Sequence, residues 1–165
     1  MRITMKQFKN QRGFTMIEII SVLVIIGIIA AVAIARMSST KEYDLASQAE
    51  VVKAHLRQAQ NRAMNANDIC GKACGIKFTG AEYFLFKNGS ATEANKLQLL
   101  GEGAKDVKLP DGMTITAGTV TFDVWGKPYT NEDATSALSS ELTISLTKGT
   151  DSRTIKITPN TGFVD

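Results

Sequence analysis

The chain begins its hydrophobic patterning with a run, not an alternation. Phe14 to Ala35 is 22 residues of almost unbroken apolar side chains, preceded by a short basic stretch. At 1.5 Å per residue that run makes a helix of about 33 Å, enough to cross a bilayer. Beyond it the pattern becomes periodic. From Tyr43 to Ala66 there is neither Pro nor Gly, and Leu45, Ala49, Val52, Leu56, Ala59 and Ala63 recur at spacings of three and four. That is one apolar stripe on an amphipathic helix, with Lys53, Arg57, Gln60 and Arg62 off the stripe. Nothing between the two segments stops a helix, so they read as one helix of roughly 53 residues, with Arg36 and Lys41 marking the membrane surface.

Asn65-Ala66-Asn67-Asp68 begins to break the helix and Gly71 completes the break. The period then changes from 3.6 to 2. Gly75 to Thr79 and Glu82 to Lys87 flank a Gly80-Ala81 turn and predict a hairpin. Lys105 to Leu109 and Gly112 to Ala117 are separated by the turn pair Pro110-Asp111. Thr119 to Val124 predicts Val120, Phe122 and Val124 on an inward face. Leu142, Ile144 and Leu146 alternate likewise, as do Ile155 and Ile157, with Lys148 to Asp151 as the hairpin loop between them. Lys127 to Ser140 is polar and reads as a loop. The expected fold is therefore α+β: a long N-terminal transmembrane and amphipathic helix packed on an antiparallel sheet of about six to eight strands. The segments are 1–13 leader, 14–35 transmembrane half, 36–67 amphipathic half and 68–165 β-rich domain.

Charge changes this picture in two ways. The leader carries Arg2, Lys6, Lys9 and Arg12 and no acid, which places the N-terminus in the cytoplasm and the domain on the far side. Without residues 1–13 the chain keeps 15 basic against 16 acidic residues, so the pI near 8.9 belongs to the precursor and does not argue for nucleic acid. The second change is Glu18. A carboxylate inside a spanning helix costs about 2.5–3.5 kcal/mol on insertion scales, and an intramembrane ionisable group is by default functional.

Arg12-Gly13-Phe14-Thr15-Met16-Ile17-Glu18, followed by the apolar run, resembles the class III signal of prepilins, the subunits of type IV pili and of the type II secretion pseudopilus. The resemblance implies cleavage after Gly13 by a prepilin peptidase, N-methylation of Phe14 by the same enzyme, and a role for Glu18 in assembly. An ordinary secretory signal places its cleavage site after the apolar run. Within the superfamily, His55 to Ala63, Cys74 to Phe78 with Tyr83 to Phe86, Thr121 to Pro128, and Ile155 to Thr158 with Thr161 to Val164 resemble the GspH/FimT-like minor pseudopilins; minor pilins of MSHA-type pili, which serve in adhesion, are the nearest alternative. Many relatives carry proline where this chain has Ala35, so a kink there has no steric cause and a straighter helix is expected.

The implied function is structural: a minor subunit of a type II secretion pseudopilus or of a type IV pilus-like filament in the inner membrane. Its partners would be the peptidase/N-methyltransferase and other pilins or pseudopilins, met through the N-terminal helix. The competing role is DNA capture during natural transformation, as in some FimT-like proteins. Its candidate contacts would be Lys148, Arg153 and Lys156, which read better as a solvated strand, so nucleic acid is not expected as a partner. No nucleophile elbow, phosphate loop or histidine cluster suggests an enzyme, and no cofactor is expected. Cys70 and Cys74, in a domain bound for an oxidising compartment, read first as a disulfide. Asn131, Glu132 and Asp133 lack a recognisable metal-ligand spacing and read as loop. Phe122 and Trp125 read as core or turn residues.

Processing is directly measurable. Intact mass of the protein from cells should show loss of residues 1–13 and a gain of about 14 Da at Phe14, the mass of one methylene added in methylation. Gly13→Val should leave the precursor uncut, and efficient cleavage of that variant would remove the class III assignment.

Overall fold

The computed structural model describes residues 14–65 and 67–165, with the side chains of 35–42, 67 and 68 left aside. Helix α1 spans Met16–Asn65 and is helical through both Gly27 and Ala35. By its contacts the chain divides into two compact units, 1–40 and 41–165. In the first, the apolar stretch Met16–Ile34 has the length and composition to cross a membrane and buries nothing within the chain. In the second, the remainder of α1 carries a β-rich domain.

The stripe expected on α1 is the one that is buried. Leu45, Ala49, Val52, Leu56, Ala59 and Ala63 are at most 5% exposed and join a single core with side chains from the strands. The helix ends at Asn65, and a short second helix, α2 (Asn67–Cys70), closes against Gly71. Then come β1 (Cys74–Phe78) and β2 (Glu82–Phe86), the predicted hairpin, paired antiparallel with Ile76 opposite Leu85.

The strands form two sheets rather than the single sheet expected. One has six strands in the order β3-β2-β1-β6-β7, with β4 also pairing β2; the other has three, in the order β5-β8-β9. Here β3 is Lys96–Leu97, β4 Asp106–Lys108, β5 Met113–Ile115, β6 Gly118–Phe122, β7 Pro128–Tyr129, β8 Leu142–Lys148 and β9 Asp151–Ile157. The division has a local cause. Pro110-Asp111-Gly112 turns the chain, with Met113 N–H donating to the Pro110 carbonyl at 3.0 Å. The turn takes β4, which pairs β2, away from β5, which pairs β8. Both sheets still close on one core: Ile76, Tyr83, Leu85, Val120 and Phe122 from the first meet Ile144, Leu146, Ile155 and Ile157 from the second.

Two sequence readings need correction. The stretch read as the loop 127–140 contains β7, which pairs β6, and Leu138 from it is buried. Val124, expected inward, lies past the end of β6 and is 39% exposed. Trp125 sits in a turn, as one of its two readings had it, yet is 86% exposed and contributes nothing to the core; Phe122 is fully buried. The polar tail of a strand pattern does not reveal where pairing stops, because β6 loses its neighbour at Phe122.

Gly75 lies at a close approach of β1 to its neighbours β2 and β6. A Cβ there would stand 2.6 Å from Phe86 Cζ, 2.6 Å from Thr121 Oγ1 and 2.7 Å from the Val120 carbonyl oxygen. The last is backbone in the central β1–β6 ladder and cannot swing aside. Gly75→Ala should therefore lower stability by about 1–3 kcal/mol, the usual cost of overpacking. Thermal unfolding of the full-length protein in detergent checks this; an unchanged midpoint would show that β1 and β6 can separate at no cost.

Candidate assembly and processing site

The start of α1 is a reciprocal cap. Thr15-Met16-Ile17-Glu18 has the spacing of a capping box. The Glu18 backbone N–H donates to Thr15 Oγ1 at 3.3 Å, and the Thr15 N–H donates to Glu18 Oε2 at 3.5 Å. The carboxylate is thus drawn to the helix N-terminus, where unpaired N–H groups and the helix dipole favour negative charge. One turn on, the Ser21 hydroxyl donates to the Ile17 and Glu18 carbonyls at 2.8 and 2.9 Å, which satisfies it within the helix. Around them Phe14, Met16 and Ile17 are each more than 70% exposed. Gly13 lies outside the described residues.

At its other end α1 fastens the domain through side chains that the sequence placed off the stripe. Gln60 Nε2 donates to the Gly126 carbonyl at 3.0 Å and to the Thr161 carbonyl at 2.9 Å. Arg57 donates to the Val164 carbonyl and Arg62 to the Gln98 carbonyl. Gly162, at φ +64°, allows the close approach: a Cβ would meet the Gly126 carbonyl oxygen at 2.5 Å, and only glycine is unstrained there. The sequence placed these polar residues off the stripe and assigned them no partners. Their long spacing from their partners in the chain leaves no local signal.

Cys70 and Cys74 are joined as a disulfide, with Cα atoms 5.3 Å apart and both residues buried. The bond fixes the end of α2 to the start of β1. The enclosed loop is held further by Asn88 N–H to the Cys70 carbonyl and Gly89 N–H to the Ala73 carbonyl.

The three basic residues considered for nucleic acid are not brought together. Lys148 Nζ pairs with Asp44 at 3.1 Å and Lys156 Nζ with Glu141 at 2.9 Å. Arg153 lies beside α1 with Ala46, Ala49, Glu50 and Lys53, while Lys156 projects from the opposite face of β9. The loop residues weighed as cation ligands are engaged otherwise. Asn131 holds the loop through Asp133, Thr135 and Ser136, and Glu132 pairs with Lys77 at 2.8 Å and accepts from Ala91 N–H. The Lys77 hydrogen bond and the Ala91 N–H hold the Glu132 carboxyl below its usual range. Among the described residues no cluster of potential metal ligands occurs.

Residues 8–34 match the family model described as the prokaryotic N-terminal methylation motif. The motif runs into a helix with the length and composition to cross a membrane, and an antiparallel β domain follows that helix. In solved structures, the chain is similar to the type IV minor pilin FimU of Pseudomonas aeruginosa. One crystal form aligns at 17% identity over 76% of this chain and 90% of FimU, with a TM-score of 0.48. A second aligns at 17% identity over 73% and 90%, with a TM-score of 0.46. No curated protein matches the chain in sequence.

His55, the only histidine, was not singled out for a structural role by sequence and turns out to be buried. Its Nδ1 lies 2.8 Å from the Tyr83 hydroxyl and its Nε2 lies 3.7 Å from Glu102. Burial lowers its pKa, against the opposing pull of Glu102 and of a backbone hydrogen bond at Leu100. Burial likewise raises the Tyr83 pKa. The folded state thus refuses a proton that the unfolded chain accepts. Stability from His55 is complete above the unfolded value of about 6.5 and is lost as pH falls below it. Thermal unfolding between pH 7.5 and 5.5 should show a falling midpoint in the full-length protein, and His55→Gln should remove that slope over this range. Equal slopes in both would assign the pH dependence elsewhere.

Proposed function

We propose that the chain is a minor pilin or pseudopilin of the GspH/FimT-like type: a non-enzymatic subunit of a type II secretion pseudopilus or type IV pilus-like filament. A prepilin peptidase would cut after Gly13 and methylate Phe14. The anchor would hold the subunit in the inner membrane, N-terminus inward and β domain in the periplasm, until other pilins take it up. The observation that carries the reading is the methylation motif over 8–34 with Glu18 in the first turn of the helix it opens.

The chemistry of Glu18 supplies the mechanism. Cleavage would create an amine at Phe14 at nearly the same depth as the carboxylate. A waiting subunit can satisfy Glu18 within its own chain, through the Thr15 cap and that amine. In a filament the amine of a neighbour would compete for it. A charge pair in low dielectric is far stronger than one in water, and an unpaired charge there costs several kcal/mol. That asymmetry would fix the axial register of one subunit on the next. DNA capture has less support, because Lys148 and Lys156 are each matched by a carboxylate and few phosphates could be neutralised.

Glu18→Ala should leave insertion, cleavage and domain folding intact and weaken incorporation. Disulfide crosslinking in cells between cysteines engineered into adjacent anchors reads this out. Crosslinking and secretion or pilus function equal to those of the parent protein would make Glu18 a passenger.

A further inference from the structure

His55 sits beneath a strap. Residues 98–105 join β3 to β4, and both ends are pinned: Lys96 Nζ pairs with Asp106 at 2.6 Å, and Leu99 is buried in the core. Between those points Leu100, Gly101, Gly103, Ala104 and Lys105 are exposed. A Cβ added at Gly101 or Gly103 would meet nothing within 4 Å. What holds this segment down is a few hydrogen bonds. From α1, Gln58 Oε1 accepts from the Leu100 N–H at 3.2 Å and Arg62 donates to the Gln98 carbonyl at 3.0 Å. Within the strap, Gln98 Nε2 donates to the Glu102 carbonyl at 2.6 Å and the Glu102 N–H donates to the Leu99 carbonyl at 3.3 Å. His55, Gln58 and Arg62 are three and four residues apart, so one side of α1 carries the fastenings.

The ring under the strap is poorly placed to take a proton. Tyr83 is fully buried and burial keeps its hydroxyl protonated, so in the neutral ring Nδ1 accepts from that hydroxyl at 2.8 Å. A protonated ring is a donor at both nitrogens. Its Nδ1–H would then face the Tyr83 O–H, and one of the two would have to turn away inside the core. Glu102 is the charged group that acts on the ring, but it stands 3.7 Å from Nε2 with its side chain 30% exposed, beyond hydrogen-bonding reach. The other elements bring no charge to the ring. Val51, Val52 and Ala59 lie one turn away on α1, Val107 of β4 pairs opposite Tyr83, and the Phe78 ring of β1 packs on Tyr83. Arg62 is held at the Gln98 carbonyl.

We infer that residues 100–104 are an acid-operated latch: they lie closed on α1 over a neutral His55, and a proton on His55 opens them while the rest of the domain stays folded. Opening lets water reach the imidazole and the Tyr83 hydroxyl. It also replaces a fixed surface beside α1 with a mobile one that carries Leu100. The sign follows from where the proton is held more easily. With the strap open the ring is solvated and titrates near its ordinary value of about 6.5, whereas under the closed strap burial holds it lower. Closure is therefore fully favoured above about 6.5 and weakens as pH falls below it. The strap yields before the core because lifting it breaks a few hydrogen bonds and uncovers little apolar surface, Leu100 being already 73% exposed. The latch does not depend on the filament reading.

Amide hydrogen exchange on the full-length protein in detergent, corrected for the intrinsic rate at each pH, tests the latch. The Leu100 and Glu102 amides should exchange roughly 100-fold or more faster than those of Ile76 and Lys77, whose strand β1 is paired on both sides, because the strap opens without the core. Between pH 7.5 and 5.5 the protection of Leu100 and Glu102 should fall about three- to tenfold, tenfold being the ceiling for one proton taken up near 6.5 over that range. In His55→Gln the strap should keep the same protection at both pH values. Strap amides protected as strongly as Ile76 and Lys77 would mean that the segment opens only in global unfolding, which overturns the proposal. So would strap protection that is flat with pH in the parent protein, or that rises in acid because Glu102 clamps the imidazolium. A pH response retained in His55→Gln overturns it as well. The comparison of strap with β1 in the parent protein decides the matter even where the variant fails to fold.

Discussion

One face of one helix holds the β domain together. The two sheets share no strand, and the turn at Pro110 to Met113 sends neighbouring strands into different sheets. What unites them is the stripe from Leu45 to Ala63, against which both inner faces close. Val52 and Leu56 are fully buried at its centre. Truncating a buried leucine to alanine costs about 2–5 kcal/mol, a large part of the stability of an ordinary domain. The polar bonds from Gln60, Arg57 and Arg62 come second to that burial. They orient loops that the apolar contact has already brought near.

The same helix face was the most legible part of the sequence, and the reason is physical. A stripe at spacings of three and four has one interpretation, and burial rewards every position in it. The hairpins at Gly80-Ala81 and Gly149-Thr150 were equally plain, because a short turn between alternating runs fixes both register and facing. Gly149, at φ +65°, takes the left-handed conformation such a loop demands. What failed to show was pairing between distant strands. Nothing local distinguishes β4 and β5 as members of different sheets, and two-residue strands such as β7 have no period to read. Trp125 was left between core and turn because a large aromatic is usually inside; its turn is held by Asp123 accepting from the Trp125 and Lys127 N–H groups rather than by burial of the indole.

The candidate site divides in the same way. Its chemistry at Glu18 is local, and a sequence states local chemistry well: threonine three residues before glutamate is enough for the cap. The contacts that decide whether Lys148 and Lys156 can meet an external anion are not local. Asp44 is 104 residues from Lys148, and only the folded chain brings the two together. Composition limited the charge available, but it could not say that both lysines were already matched.

The disulfide also imposes an order of events. Cys70 and Cys74 are 1% and 0% exposed in the finished domain, beneath the junction of α2 and β1. No oxidant can reach a thiol packed that deeply, so the bond has to close while this corner is still open. Final packing then seals it against reduction. Within the proposed topology, a subunit still threading through the membrane cannot complete this corner, and the closed bridge becomes a chemical record that its domain has reached the oxidising side.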